Sequence, residues 1–245
     1  MGATVVCLAG GPGRRLGNIN GPKPLVDING RPLLDYSVSE FKDAGIARLI
    51  IHIGPWGNAF DDFLREANQA LRCEIVVKQY PDDSQTLLGA LQQCLEHVTT
   101  PFVYWDGDVI VPPGTLSRFM ANWNNHMAAV ACSPSLLAST HLQLNRGSPR
   151  AIATSNEETG TLCGIGAYLF REELRMRIQS SENESDIDDV VRCWMRDGGD
   201  LGIFDIGPVW EVIHTQDDLR RARNADWIKC MPPTQLIADY NLGRR

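Results

Sequence analysis

Two neighbouring segments near the amino terminus concentrate the residues able to do chemistry: Leu8-Ala9-Gly10-Gly11-Pro12-Gly13-Arg14-Arg15-Leu16-Gly17 and Pro22-Lys23-Pro24-Leu25. Glycines leaving an apolar strand let backbone N–H groups close on phosphate oxygens, and Arg14, Arg15 and Lys23 supply the matching charge. The pair of segments reads as a cradle for a triphosphate. Gly11-Pro12-Gly13 alone would also serve as a tight strand-to-helix turn. That bland reading leaves Arg15 and Lys23 unexplained, because two cations fixed side by side are costly without an anion between them. Pro22 and Pro24 further hold Lys23 in an extended segment.

Two other glycine-loop chemistries make demands this chain does not meet. A dinucleotide fingerprint needs its glycines to open a helix and an acid at the end of the second strand. Here the loop runs into Asn18-Ile19-Asn20-Gly21, and the second strand ends in His52-Ile53-Gly54-Pro55. A P-loop needs G-x-x-x-x-G-K-[ST], which is absent. Farther along, Asp106-Gly107-Asp108 closes a strand and offers oxygen ligands for Mg²⁺, an ion held by one or two carboxylates plus substrate phosphates. The same triplet is a common solvent turn. Its place at the end of a central parallel strand, where ligands bind in such sheets, favours the metal reading.

These residues need a sheet to hold them. Short apolar runs at 3–8, 48–53, 74–78 and 102–105 alternate with helical patterns at 32–44, 61–71 and 87–98, and Gly45 sits where a helix C-cap belongs. Alternation of this kind implies an α/β fold: one three-layer domain around a mostly parallel, doubly wound, Rossmann-like sheet. The second half adds strand patterns at 128–132, 164–170 and 201–205 and helices at 187–195 and 217–225. The polar stretch 133–161, broken by Pro134, Gly147 and Pro149, suits a hairpin or lid. Residues 1–225 read as the catalytic-type domain and 226–245 as an accessory tail.

Composition bounds the partners. With 245 residues and 43% apolar content the chain can bury a substantial core. Thirty acidic against 23 basic residues give −7, which disfavours nucleic acid or a membrane surface as partner. The Arg220, Arg221, Arg223 run reads as a solvated helix face. Seven scattered cysteines without a C-x-x-C pair fit a reduced, cytoplasmic protein better than a disulfide or zinc framework. The oligomeric state stays open, a homo-oligomer included.

The succession L-A-G-G-x-G-x-R-L, P-K-P-L, a strand ending in Gly107-Asp108, and Gly164-Ile165-Gly166-Ala167-Tyr168-Leu169-Phe170 resembles the sugar-phosphate nucleotidylyltransferases, a family that includes cytidylyltransferases acting on alcohol phosphates and phosphonates. The likeness runs over about residues 3–223. It implies transfer of a nucleotidyl group from a nucleoside triphosphate to a small phosphorylated or phosphonylated acceptor, with release of pyrophosphate and Mg²⁺ as cofactor. On matched positions it implies Leu8, Ala9, Gly10 and Gly11 along base and ribose, Gly11 to Arg15 (Gly13 and Arg14 among them) around the phosphates, and Arg15 on the leaving pyrophosphate. Lys23 would meet the α-phosphate, and Asp108, with Asp106 beside it, the metal.

Three departures from the family pattern set the open questions. The closing run Trp210-Glu211-Val212-Ile213-His214-Thr215 has Val212 where a second metal-binding acid is expected, leaving Glu211 as the candidate, with Asp205 and His214 behind it. The base-recognition segment is reduced to Gln85-Thr86-Leu87-Leu88-Gly89, so Gln79, Gln85 and Thr86 are candidate base contacts, or caps of the following helix. Where sugar-specific members carry E-K-P, this chain has Asn156-Glu157-Glu158-Thr159, and Arg146 and Arg150 are left to meet the acceptor phosphate, with Glu158 and Tyr168 as further acceptor contacts. Two other readings stand beside the enzyme: a nucleotide-sensing relative without turnover, suggested by Val212, and a glycosyltransferase using Asp106-Gly107-Asp108 as a D-x-D.

Overall fold

The computed structural model describes residues 2–17, 19, 21–80, 86–98, 101–122, 126–134, 142–145, 148–152, 161–182, 184 and 186–232, without the side chains of 145 and 148–152. In chain order its strands and helices are β1 (Thr4–Leu8), β2 (Asp27–Ile28), β3 (Arg31–Pro32), α1 (Leu33–Asp43), β4 (Arg48–His52), α2 (Asp61–Leu71), β5 (Glu74–Lys78), α3 (Leu87–Cys94), β6 (Phe102–Asp106), β7 (Val109–Ile110), α4 (Thr115–Ala121) and β8 (Ala128–Ser133). There follow β9 (Gln143–Asn145), β10 (Ser148–Ile152), β11 (Thr161–Phe170), α5 (Glu172–Ser180), α6 (Ile187–Arg196), β12 (Leu201–Asp205), β13 (Glu211–Val212), α7 (Gln216–Asn224) and α8 (Asp226–Lys229).

Among the described residues nine strands form one sheet in the order β10-β9-β11-β6-β1-β4-β5, with β8 branching from β11 and β12 pairing with β8. β6, β1, β4 and β5 run parallel, while β11 is antiparallel to β6, β8 and β9. The period-2 geometry of a strand sends alternate side chains to opposite faces, and both faces are apolar here. Val5, Cys7, Val103 and Trp105 meet α1, α2 and α4 through Leu34, Val38, Phe41, Phe63 and Leu116. Val6, Leu8, Phe102 and Tyr104 meet α3, α5 and α6 through Leu91, Leu174, Ile178 and Val190. Helices on both faces of a mostly parallel sheet make the three-layer α/β fold expected from the alternation of patterns.

Details differ from the sequence reading where local chemistry intervenes. Pro32 lies in β3, so α1 begins at Leu33, and the 87–98 helix ends at Cys94 and tightens into a 3₁₀ turn, Leu95–His97. Part of the polar 133–161 stretch forms the antiparallel pair β9–β10.

A third apolar cluster lies beside the glycine loop. Leu16, Ile28, Leu33 and Tyr36 pack against Ile213, Leu219, Ala222, Ile228 and Met231, so the residues just beyond 225 are packed on the loop that follows the glycines. Buried Arg31 reinforces that joint by bonding Asp35 at 2.8 Å and donating to the Pro232 carbonyl at 3.0 Å. No helix among the described residues is long and apolar enough to cross a membrane.

Candidate functional site

The carboxyl ends of β1, β4 and β6 lie abreast, with Leu8 in register with His52 on one side and Asp106 on the other. A cleft of about 380 Å³ opens over them. This is the position a parallel sheet reserves for ligands. The turn after β6 is drawn tight against β1: the Gly107 N–H donates to the Leu8 carbonyl at 3.0 Å. A Cβ on residue 107 would sit 2.9 Å from that carbonyl oxygen, so only glycine lets the two backbones approach. The carboxylates of Asp106 and Asp108 are thereby fixed beside the glycine loop.

That loop turns at Gly13, whose φ of 63° opens a short 3₁₀ turn, Arg14–Leu16. Leu16 is fully buried and anchors the turn, its carbonyl accepting from the Gln216 side-chain amide. Arg15 is left exposed on the cleft wall, and it has no ion-pair or hydrogen-bond partner among the described residues. Lys23 opens a second 3₁₀ turn, Lys23–Leu25, and its ammonium forms an ion pair with Asp108 Oδ2.

His214 reaches the same oxygen from the other side, its Nε2 lying 3.5 Å from Asp108 Oδ2. The β13–β7 pairing brings it there. Val212 is in register with Val109, and the Ile213 N–H donates to the Asp108 carbonyl at 3.1 Å. Backbone N–H groups of His214 and Thr215 donate to Asp218 at 3.0 and 2.8 Å, part of the capping box that starts α7. The imidazole is thus held by backbone on both flanks.

The two carboxylates of the turn differ in electrostatics. Burial pushes the Asp106 carboxyl well up, the neighbouring Asp108 charge adds to it, and the Tyr104 hydroxyl, which donates to Asp106, offsets only part. Burial also works against ionised Asp108, but the Lys23 charge and His214 overcome it and hold that carboxyl below the usual range. Gly166 faces Asp106 so closely that any side chain there would collide with the carboxylate, and its φ of 75° suits glycine. Deeper in the cleft the Tyr168 hydroxyl donates to buried Asp188. Burial, then the Asp188 charge, push the Tyr168 hydroxyl well up, so it stays a donor.

The cleft gathers Leu8, Gly10, Gly11, Arg15, Lys23, Thr86, Asp106, Asp108, Tyr168 and His214 of the residues singled out in the sequence. Thr86 lines the cleft, and its hydroxyl caps α3 by accepting from the Gly89 N–H at 3.0 Å. Ala9 is buried behind the cleft, and Gly13 and Arg14 shape the loop without lining it. Gln79 is exposed outside the cleft, against Gly57. Glu211 also departs from expectation: it is turned inward on β13 and paired with Arg221 at 2.7 Å, away from the cleft. Asp205 caps a turn by accepting from the Gly207 N–H. Gln85, Arg146, Glu158 and the Arg150 side chain lie outside the described residues.

His52, Tyr104, Asp186 and Asp188 line the cleft without having been singled out. Tyr104 was within reach, being two residues before Asp106 and so on the same strand face. Which acid of Asp186-Ile187-Asp188-Asp189 faces the cleft depends on how α6 docks, which no local pattern states.

As a cation site the cleft offers Asp108 and His214, with Asp106 held by Tyr104. Among the described residues no group of three or more His, Cys, Asp or Glu side chains converges to hold a metal. Such a pair suits an ion whose shell is completed by ligand phosphates.

Comparison with known proteins adds the following. Residues 5–192 match the family model described as MobA-like NTP transferase domain. The CMP-5'-(3-aminopropyl)phosphonate synthase of Streptomyces rubellomurinus is 28% identical over 194 residues, 74% of this chain and 30% of that protein. The bifunctional IPC transferase and DIPP synthase of Rubrobacter xylanophilus is 26% identical over 90% of this chain and 50% of its own length. The chain thus spans half or less of these two relatives. A UTP-bound UGPase from Acinetobacter baumannii superposes with a TM-score of 0.77 at 17% identity, covering 100% of this chain and 99% of that one, which shows a common fold.

Proposed function

The chain belongs to the MobA-like NTP transferase family, and from that premise we propose that it transfers a nucleoside monophosphate from a nucleoside triphosphate to a phosphorylated acceptor, releasing pyrophosphate. The observation that carries the reading is the meeting of Arg15, Lys23 and Asp108, from three separate segments, on one cleft at the carboxyl ends of β1 and β6.

An oxygen of the acceptor phosphate or phosphonate attacks the α-phosphorus, the bond to the α–β bridging oxygen breaks, and pyrophosphate leaves with that electron pair. The acceptor oxygen is already anionic, so no protein nucleophile or base is required. The barrier is the approach of like charges. Lys23 answers it at the α-phosphate, where charge builds during attack, and Arg15 at the departing pyrophosphate. A divalent cation on Asp108, Mg²⁺ by family expectation, would supply further charge neutralisation. Leu8, Gly10 and Gly11 form the wall against which the nucleoside lies, and Tyr168 with Asp188 forms the deep end that meets the acceptor.

The aminopropylphosphonate named for the Streptomyces relative and the absence of a sugar-site E-K-P favour a small phosphoalcohol or phosphonate acceptor over a hexose phosphate. The charge of −7 argues against a nucleic-acid partner, and seven thiols suit a reducing cytoplasm. One observation favours nucleotide sensing without turnover: Val212 is buried in the core where the family pattern has an acid. Thermal-shift measurements with ATP, CTP, GTP, UTP and dTTP at millimolar concentration, with a divalent cation, test the reading. A rise in Tm with one of them is expected by mass action; no rise with any overturns it.

A further inference from the structure

Resting on that reading, we infer that His214 is a ligand of the divalent cation, so that this protein holds its ion with one carboxylate oxygen and one imidazole nitrogen and favours Mn²⁺ or Co²⁺ over Mg²⁺. The other donors on the cleft have partners of their own: Asp106 accepts from the Tyr104 hydroxyl, Asp188 from the Tyr168 hydroxyl, Asp186 from the Asp189 N–H and His52 from the Gly54 N–H, while Glu211 and Asp205 lie outside it. Val212 has no donor at all and faces the core. Asp108 remains, and beside the Lys23 ammonium the side chain brought to it is His214, with Nε2 3.5 Å from Oδ2 and both side chains 15% exposed on the cleft.

The backbone fixes this pairing. The Ile213 N–H is bonded to the carbonyl of Asp108 itself, and the next two N–H groups are bonded to Asp218. These bonds hold the imidazole in place beside Asp108. Placement of this kind is what a ligand requires.

The donor types then set ion preference. Mg²⁺ demands oxygen donors in near-ideal octahedral geometry, whereas first-row transition ions accept an imidazole nitrogen, with affinity lowest for Mn²⁺ and rising toward Co²⁺. With only two protein donors, phosphate oxygens of the bound nucleotide complete the shell. Lys23 shares Asp108 Oδ2 with His214. A cation held there would take the place of the ammonium, leaving Lys23 to the phosphates.

The test is pulsed electron paramagnetic resonance of Mn²⁺ added to the whole protein, alone and with each of the five nucleoside triphosphates, acceptor omitted. Protein grown with ¹⁵N-histidine should show nitrogen coupling that changes from ¹⁴N to ¹⁵N. The coupling should vanish in His214→Gln, with Mn²⁺ affinity falling at least about tenfold. His214→Asp should restore binding and shift preference toward Mg²⁺ by a similar factor. Thermal melts of each variant report folding separately. Nucleotide-dependent Mn²⁺ binding without histidine coupling overturns the inference and leaves the transferase reading standing. No Mn²⁺ binding with any nucleotide overturns both.

Discussion

Lys23 and Asp108, 85 residues apart in sequence, form an ion pair at the mouth of the cleft. The lysine comes from a proline-flanked 3₁₀ turn and the aspartate from a glycine turn that only a backbone without Cβ can make. Each partner is thus held by local backbone chemistry, and their meeting joins the Lys23–Leu25 turn to the sheet.

Removal of the ammonium separates catalysis from binding. Lys23→Ala is expected to lower turnover by about 10² or more, the scale of a single charge-stabilising donor, while the nucleotide dissociation constant changes far less. Single-turnover rates beside equilibrium titration check this. Equal losses in both would place Lys23 in ground-state binding.

The two acids of one turn should respond oppositely to pH. Folding favours ionised Asp108, so its contribution is present above the ordinary carboxylate range, about 4, and fades as pH falls through and below it. Folding favours protonated Asp106, so its contribution is full below that range and fades as pH rises. Urea midpoints against pH for wild type, Asp106→Asn and Asp108→Asn measure both. The wild-type advantage should shrink toward acid relative to Asp108→Asn and toward neutrality relative to Asp106→Asn. Differences of the same slope would contradict the assignment.

Residues beyond 225 should support the glycine loop. Ile228 is 1% exposed in the cluster that also buries Leu16, the residue next to Arg15. Ile228→Ala should cost about 2–5 kcal/mol by cavity formation and weaken nucleotide binding as well. Chemical denaturation and nucleotide titration of the variant check both effects. Lost stability with unchanged nucleotide affinity would show that the cluster does not position the loop.

Much of this architecture is written locally in the chain. The glycine loop, the Asp106-Gly107-Asp108 turn and the alternation of strands with helices follow from glycine placement and from short apolar runs alternating with helical spacing, and the structure has a loop, a turn and an alternation at those places. What escaped is set by long-range register. Glu211 and His214 are three residues apart, and only the pairing of a two-residue strand on β7 decides which of them reaches Asp108. Gln79 follows an edge strand whose end turns toward Gly57, away from the cleft. The packing of 226–232 was hidden because its apolar partners, Leu16 and Tyr36, lie near the other end of the chain.

The most direct test of the central claim is pyrophosphate release, followed with mass analysis of products, on mixing the protein and a divalent cation with each nucleoside triphosphate and a panel of phosphoalcohols, phosphonates and sugar phosphates. The account predicts pyrophosphate and a nucleotide-linked product in equal amounts for one nucleotide and one acceptor class, abolished in Asp108→Ala. Nucleotide binding with no pyrophosphate from any acceptor in the panel would contradict it.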